Sequence, residues 1–150
     1  MWRQHRRLAF TPSNGDEVQS EYLVPRASAA EMIDILRGLG AAIAPLLQVC
    51  EIRTVAADEL WLSPAYRQDT VAFHFTWRND QPAVLRLLAR VEDAIAGCRP
   101  RPHWGKLFAA DAGALAAVYG RLPDFRRLSG RLDPDGVFRN DYLDRYVFAV

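Results

Sequence analysis

Apolar positions along this chain change period several times, and each change marks an element. Across Val18–Pro25, Val18, Tyr22 and Val24 are apolar while Gln19 and Glu21 fall on the alternate face, which predicts a strand. Ser28 followed three residues later by Glu31 is a capping-box pattern, and Met32, Ile35, Leu36 and Leu39 then recur at helical spacing. Gly38, Gly40 and Pro45 weaken or end that helix, and Leu46–Val55 is a second strand. Asp58–Gln68 is turn-like, with the pair Leu60-Trp61 as an isolated packing anchor. Val71–Trp77 alternates strongly: Val71, Phe73, Phe75 and Trp77 share one face, and Ala72, His74 and Thr76 the other. Asp80 caps a further helix with Pro82 in its first turn, Val84, Leu88, Val91 and Ile95 form its apolar stripe, and Gly97 closes it.

Asp111–Tyr119 then reads as a short helix and Pro123–Leu128 as a weaker one. Asp133-Pro134-Asp135-Gly136 is a turn, and Val137–Phe148 is an aromatic-rich tail. Strand, helix, strand, strand, helix is the order of an α+β fold. It predicts an antiparallel sheet with helices packed on one face, ferredoxin-like, followed by a helical and extended C-terminal tail. The expected divisions are 1–17 as a linker or incomplete N-terminal segment, 18–107 as the sheet domain, and 108–150 as the C-terminal segment. Thr11–Asp16 is a loop by composition. In the tail, Phe138, Tyr142, Leu143 and Phe148 form an apolar strip suited to packing on another surface.

Composition narrows the class. The 150 residues suit one domain, half of them hydrophobic and a quarter charged. A net charge of +1 makes no overall case for nucleic acid, and the basic cluster Arg3, His5, Arg6 and Arg7 is short and terminal. No apolar run reaches the roughly 20 residues of a membrane span, and the first residues lack the apolar core of a signal peptide. Cys50 and Cys98 have no metal-ligand spacing, so no metal site is expected. Two unpaired thiols fit a reducing cytoplasm, although their spacing leaves a disulfide open.

Three short runs carry the candidate chemistry. Arg101-Pro102-His103-Trp104-Gly105-Lys106 puts an imidazole, an indole and an ammonium into a bent, proline-stiffened loop. Glu51-Ile52-Arg53 places a carboxylate and a guanidinium two apart in a strand, hence on one face, and His74-Phe75-Thr76 does the same for an imidazole and a hydroxyl. Each has an ordinary reading: a salt bridge for Glu51 and Arg53, a structural histidine for His74, core packing for Trp104, a surface amine for Lys106. If the strands are neighbours, however, the runs converge on one polar pocket.

The same runs resemble the aldonolactone oxidase and alditol oxidase family of flavoproteins, over roughly Thr11 to Phe148. Thr11-Pro12-Ser13, Val18-Gln19-Ser20-Glu21-Tyr22 and Val24-Pro25-Arg26 resemble the segment that opens the family's substrate-binding cap. Glu51-Ile52-Arg53-Thr54-Val55 and Phe73-His74-Phe75-Thr76-Trp77 are similar to its active-site strands. Pro102-His103-Trp104-Gly105-Lys106 is the most specific match, and Asp133-Pro134 with Phe138-Arg139-Asn140-Asp141-Tyr142-Leu143 resembles the closing segment. Of the family's types, the chain is more similar to the bacterial alditol oxidases than to the lactone-oxidising enzymes.

The resemblance implies oxidation of a CH–OH group in a sugar alcohol or aldonolactone, with FAD as hydride acceptor and oxygen reoxidising it to give hydrogen peroxide. It implies Glu51, Arg53 and Lys106 as catalytic residues, Gln19, His74 and Thr76 as substrate-binding residues, and His103, Trp104 and Asn140 as neighbours of the cofactor. Arg53 and Lys106 would stabilise a developing alkoxide and the reduced flavin, and a desolvated Lys106 beside Arg53 is also a candidate base. Family members carry an N-terminal flavin-binding domain with a glycine-rich pyrophosphate loop. The nine glycines here are scattered and form no such pattern. The chain is therefore expected to be the cap and closing segment, with FAD bound mainly by a separate domain or partner chain. The alternative is a remnant or carbohydrate-binding module without flavin.

Overall fold

The computed structural model describes residues 15–149, so the expected Thr11-Pro12-Ser13 loop and the basic cluster at Arg3–Arg7 lie outside the described residues. The elements run β1 (Glu17–Pro25), α1 (Ala29–Gly38), α2 (Gly40–Ile43), β2 (Leu47–Val55), β3 (Thr70–Arg78), α3 (Gln81–Ile95) and β4 (Arg101–Pro102). They continue with α4 (Ala112–Val118), α5 (Leu122–Leu132) and α6 (Asp141–Leu143), which runs on into a wider π-helical turn over Asp144–Phe148. The sheet order is β2-β3-β1-β4, with every pairing antiparallel. The first five elements follow the expected strand, helix, strand, strand, helix order, and the short β4, inside the run expected to be a loop, completes a βαββαβ arrangement.

Strand alternation decides the core. Tyr22 and Val24 of β1 and Val71, Phe73, Phe75 and Trp77 of β3 are buried on one face. Against them pack Met32 of α1 and Val84, Leu88, Val91 and Ile95 of α3. The Trp77 indole lies stacked on Phe75 and donates its N–H to Ser20 Oγ at 2.9 Å, so its one polar atom is satisfied inside the core. The helix starts follow their caps. Asp80 accepts from Ala83 N at 3.0 Å at α3, and Asp111 accepts from Ala114 N at 2.8 Å at α4.

Phe108, Leu115, Tyr119, Leu122 and Val147 of the C-terminal segment belong to the same buried cluster as the sheet domain's side chains. Of the expected apolar strip, Leu143 and Phe148 pack inward, whereas Phe138 is 81% exposed and Tyr142 remains at the surface with Val137 and Leu132. Arg101 ties β4 to its surroundings, donating to the carbonyls of Pro64, Tyr66 and Val118.

Several local expectations change. Ser28 precedes α1, but its hydroxyl makes no capping bond, because a 3₁₀ turn over Arg26–Ser28 already leads the chain into the helix. Leu60 is 70% exposed and anchors nothing; Leu62 packs on the core instead, and Trp61 is covered by the Arg121 guanidinium at 4.6 Å. Gly97 lies within a 3₁₀ turn, and Arg99 takes the left-handed conformation (φ 52°) that ends the α3 region. The helix expected over Pro123–Leu128 extends through Leu132, where Asp133 stops it. Cys50 and Cys98 are both free thiols.

Candidate active site

The face of the sheet away from α1 and α3 carries the polar residues, and strand register brings them into rows. Glu51 of β2, His74 of β3 and Glu21 of β1 lie side by side, and Thr76 pairs with Gln19 one step along. The loop after β4 is stitched to the other edge of β1: His103 N donates to Glu21 O at 2.9 Å and Leu107 N to Gln19 O at 2.8 Å. Between those anchors a turn closed by Lys106 N on His103 O swings the Lys106 side chain over the sheet. The proline-stiffened loop thus serves to deliver one amine.

Glu21 is the centre of the cluster, 7% exposed in the middle of a strand. Arg53 donates to its Oε1 at 2.9 Å and Lys106 Nζ to its Oε2 at 2.5 Å, while His74 Nδ1 lies 3.4 Å from Oε2. Lys106 Nζ is also 2.7 Å from His74 Nδ1, and His74 Nε2 is 3.4 Å from Thr76 Oγ1. Burial raises the Glu21 carboxyl, but the hydrogen bond and charge of Lys106, joined by the charge of Arg53, outweigh it and hold the group below the usual carboxylate value. Burial, reinforced by the Lys106 charge, pushes the His74 imidazole down, which favours its neutral form.

The sequence-derived residues therefore divide. Arg53, His74, Thr76 and Lys106 meet in one cluster. Gln19 lines the adjoining open recess of about 750 Å³ with Lys106, Trp104 and Tyr142. Glu51 is exposed beside the cluster, and the expected Glu51–Arg53 pair is long at 3.9 Å, because Arg53 turns to Glu21 instead. The side chains of His103, Trp104 and Asn140 serve local structure. His103 Nδ1 accepts from Gly105 N, Trp104 Nε1 donates to Leu62 O and its ring packs on Tyr119, and Asn140 caps α6. Glu21 is the residue that sequence reasoning left out of the site. Its parity with Gln19 was visible, but its two partners, Arg53 and Lys106, come from β2 and the loop after β4, and its neighbour His74 from β3.

Described residues fit the reacting end of a flavin better than its phosphates. Arg53 and Lys106 put two cations on an open polar face, suited to an anionic ring. By contrast, the starts of α3 and α4 are occupied by the carboxylates of Asp80 and Asp111, which disfavour a phosphate there.

Fold and site together define an α+β domain with a charged cluster on the sheet face opposite α1 and α3. Residues 11–146 match the family model described as D-arabinono-1,4-lactone oxidase. The chain belongs to that family. It is 53% identical over 139 residues to an alditol oxidase of Streptomyces sp. (strain IKD472 / FERM P-14339), covering 93% of this chain and 34% of that protein. It is 35% identical over 148 residues to an L-gulono-1,4-lactone dehydrogenase of Mycobacterium tuberculosis, covering 95% and 32%. An L-gulonolactone oxidase of Scyliorhinus torazame is 33% identical over 101 residues, 65% of this chain and 23% of that protein. The chain spans about a third of the length of the first two of these relatives.

Proposed function

We propose that this chain is the substrate-binding and catalytic part of an FAD-dependent oxidase acting on the CH–OH group of a sugar alcohol or aldonolactone, with oxygen as acceptor and hydrogen peroxide as product. The observation that carries the reading is the pairing of Arg53 and Lys106 on one buried carboxylate beside a row of neutral hydrogen-bonding groups. FAD, bound mainly by a separate domain or partner chain, supplies the hydride acceptor. On this chain, Arg53 and Lys106 stabilise the alkoxide character that grows on the substrate oxygen as its hydroxyl proton passes to water, which offsets the positive charge that hydride loss would otherwise leave on the carbon. Glu51 accepts a bond from a substrate hydroxyl, and Gln19, His74 and Thr76 bind further hydroxyls. A ladder of such partners separates a polyol from a simple alcohol, because each buried polar group left unpaired costs about 1–3 kcal/mol.

Charge supports an uncharged substrate. Glu21 and Glu51 balance the full charges of Arg53 and Lys106 while His74 is neutral, so no net charge selects an anionic substrate over a neutral one, although the N–H donors of the two cations still favour negative charge that develops beside them. The Lys106–Glu21 ion pair also favours charge stabilisation over base catalysis as the role of Lys106. His103, Trp104 and Asn140 hold the surrounding loops beside the cofactor.

The test is to combine the chain with a flavin-binding domain of the same family and mix it anaerobically with a polyol or an aldonolactone. Flavin bleaching, followed by peroxide formation when air is admitted, is the expected result. Sugar binding without bleaching would favour the carbohydrate-binding module instead.

A further inference from the structure

We infer that Glu21 is the positioning residue of this site: its carboxylate clamps Arg53 and Lys106 and, through Lys106, fixes His74 as the neutral imidazole with its proton on Nε2. The catalytic half of this inference rests on the oxidase reading above; the placement of the proton does not.

The argument is one of donors and acceptors. An ammonium has three donors and no acceptor. Lys106 Nζ, paired with Glu21 Oε2 at 2.5 Å, spends a second donor on His74 Nδ1 at 2.7 Å. That nitrogen must then present its lone pair, which leaves the single ring proton on Nε2. The 3.4 Å approach of His74 Nδ1 to Glu21 is in consequence a contact between two acceptors rather than a bond. The Nε2–H is left pointing along the row that holds Thr76 Oγ1, where it serves as a donor to a substrate hydroxyl oxygen. The low proton affinity that burial and Lys106 impose on His74 agrees with this form.

Glu21 is the group on which the arrangement depends. It is buried, and it holds the two cations from opposite sides, Arg53 on Oε1 and Lys106 on Oε2. Removing its charge leaves Arg53 and Lys106 repelling each other, with the exposed Glu51 carboxylate, 3.9 Å from Arg53, as the remaining counter-charge among the ion pairs of the cluster's described residues. Lys106 then swings away from Arg53, and His74 Nδ1 no longer receives a fixed donor.

The test reads the imidazole directly. Long-range ¹H–¹⁵N spectra of the full 150-residue chain at pH 7, with His74→Gln to assign the signal, are expected to show His74 with a lone pair on Nδ1 and a proton on Nε2. Glu21→Gln is expected to give a mixture of tautomers. Lys106→Met, which leaves the buried carboxylate facing Nδ1 as an acceptor, is expected to move the proton onto Nδ1 and serves if Glu21→Gln does not fold. In the flavin-containing assembly, Glu21→Gln is expected to lower the flavin reduction rate by roughly 10²-fold, with a much smaller change in the substrate concentration required. A parent spectrum with the proton on Nδ1, a cationic His74, or an Nε2–H form that survives Lys106→Met would each overturn the inference. A parent assembly that never reduces flavin would overturn the oxidase reading and leave the His74 assignment standing, since the spectrum is read without flavin.

Discussion

The Tyr142 hydroxyl donates to the Trp104 carbonyl at 2.5 Å, so the C-terminal segment is tied to the loop that carries Lys106. Tyr142 also stands against Tyr146 at 4.9 Å, and Tyr146 against the buried Phe108. A continuous aromatic path therefore links the tail to the loop that carries Lys106. Tyr142→Phe keeps the ring and removes only the hydroxyl. It is expected to destabilise the chain by about 1 kcal/mol, read as a lower urea midpoint with unchanged slope. An unchanged midpoint would mean that this bond exchanges freely with water.

Glu92 provides a pH-dependent prediction. Its Oε1 accepts from Tyr22 at 2.6 Å and from Ala109 N at 2.7 Å, yet burial raises its carboxyl above the ordinary value, and these bonds only partly offset the rise. A folded-state pKa above the unfolded one means that the folded chain holds the proton more tightly. Stability from this group is thus fully present below the unfolded value, about pH 4, and is lost as pH rises through the folded value. Glu92→Gln, whose carbonyl can accept both bonds, is expected to raise the melting temperature at pH 7, with the gain vanishing near pH 4. A gain that persisted unchanged at low pH would exclude desolvation of the charge as its source.

Turnover in the flavin-containing assembly separates binding from charge stabilisation. On the proposed roles, Lys106→Ala and Arg53→Ala are each expected to lower the rate of flavin reduction by about 10²–10³-fold, because the alkoxide charge they stabilise appears only in the transition state, as the hydroxyl proton leaves. Gln19→Ala is expected mainly to raise the substrate concentration required, and Glu51→Gln to fall between these. Reduction within about threefold of the parent in both cation variants, under 1 kcal/mol, would leave the cluster as a structural ion-pair network.

Phe138, Val137 and Leu132 are the most exposed large apolar side chains of the C-terminal segment. If they meet a flavin-binding domain, Phe138→Asp is expected to weaken association with that domain by at least tenfold while leaving the chain's own melting temperature within a degree or two. Equal association by titration calorimetry would place the contact elsewhere.

Much of the fold was legible because one face of each strand and helix must leave water. The parity of Val71, Phe73, Phe75 and Trp77 identified the buried face of β3, and the stripe Val84, Leu88, Val91 and Ile95 did the same for α3. Parity also placed Arg53 with Glu51 and His74 with Thr76, since the two-residue period of a strand is a local property of the backbone. Where local rules competed, they misled: Ser28 has the residue type of a cap and Leu60 that of an anchor, but the preceding turn and the neighbouring Leu62 took those roles.

Register across β2, β3 and β1 was beyond the sequence, because pairing between distant segments depends on which faces pack together rather than on any local pattern. That register sets Glu51, His74 and Glu21 side by side, and the β1 edge contacts then bring Lys106 over them. The sequence by itself determined the strand, helix, strand, strand, helix order, the buried faces and the stock of charged groups. Only the tertiary structure made Glu21 their common partner, because a carboxylate between two cations is stabilised by charges that converge from three separate segments.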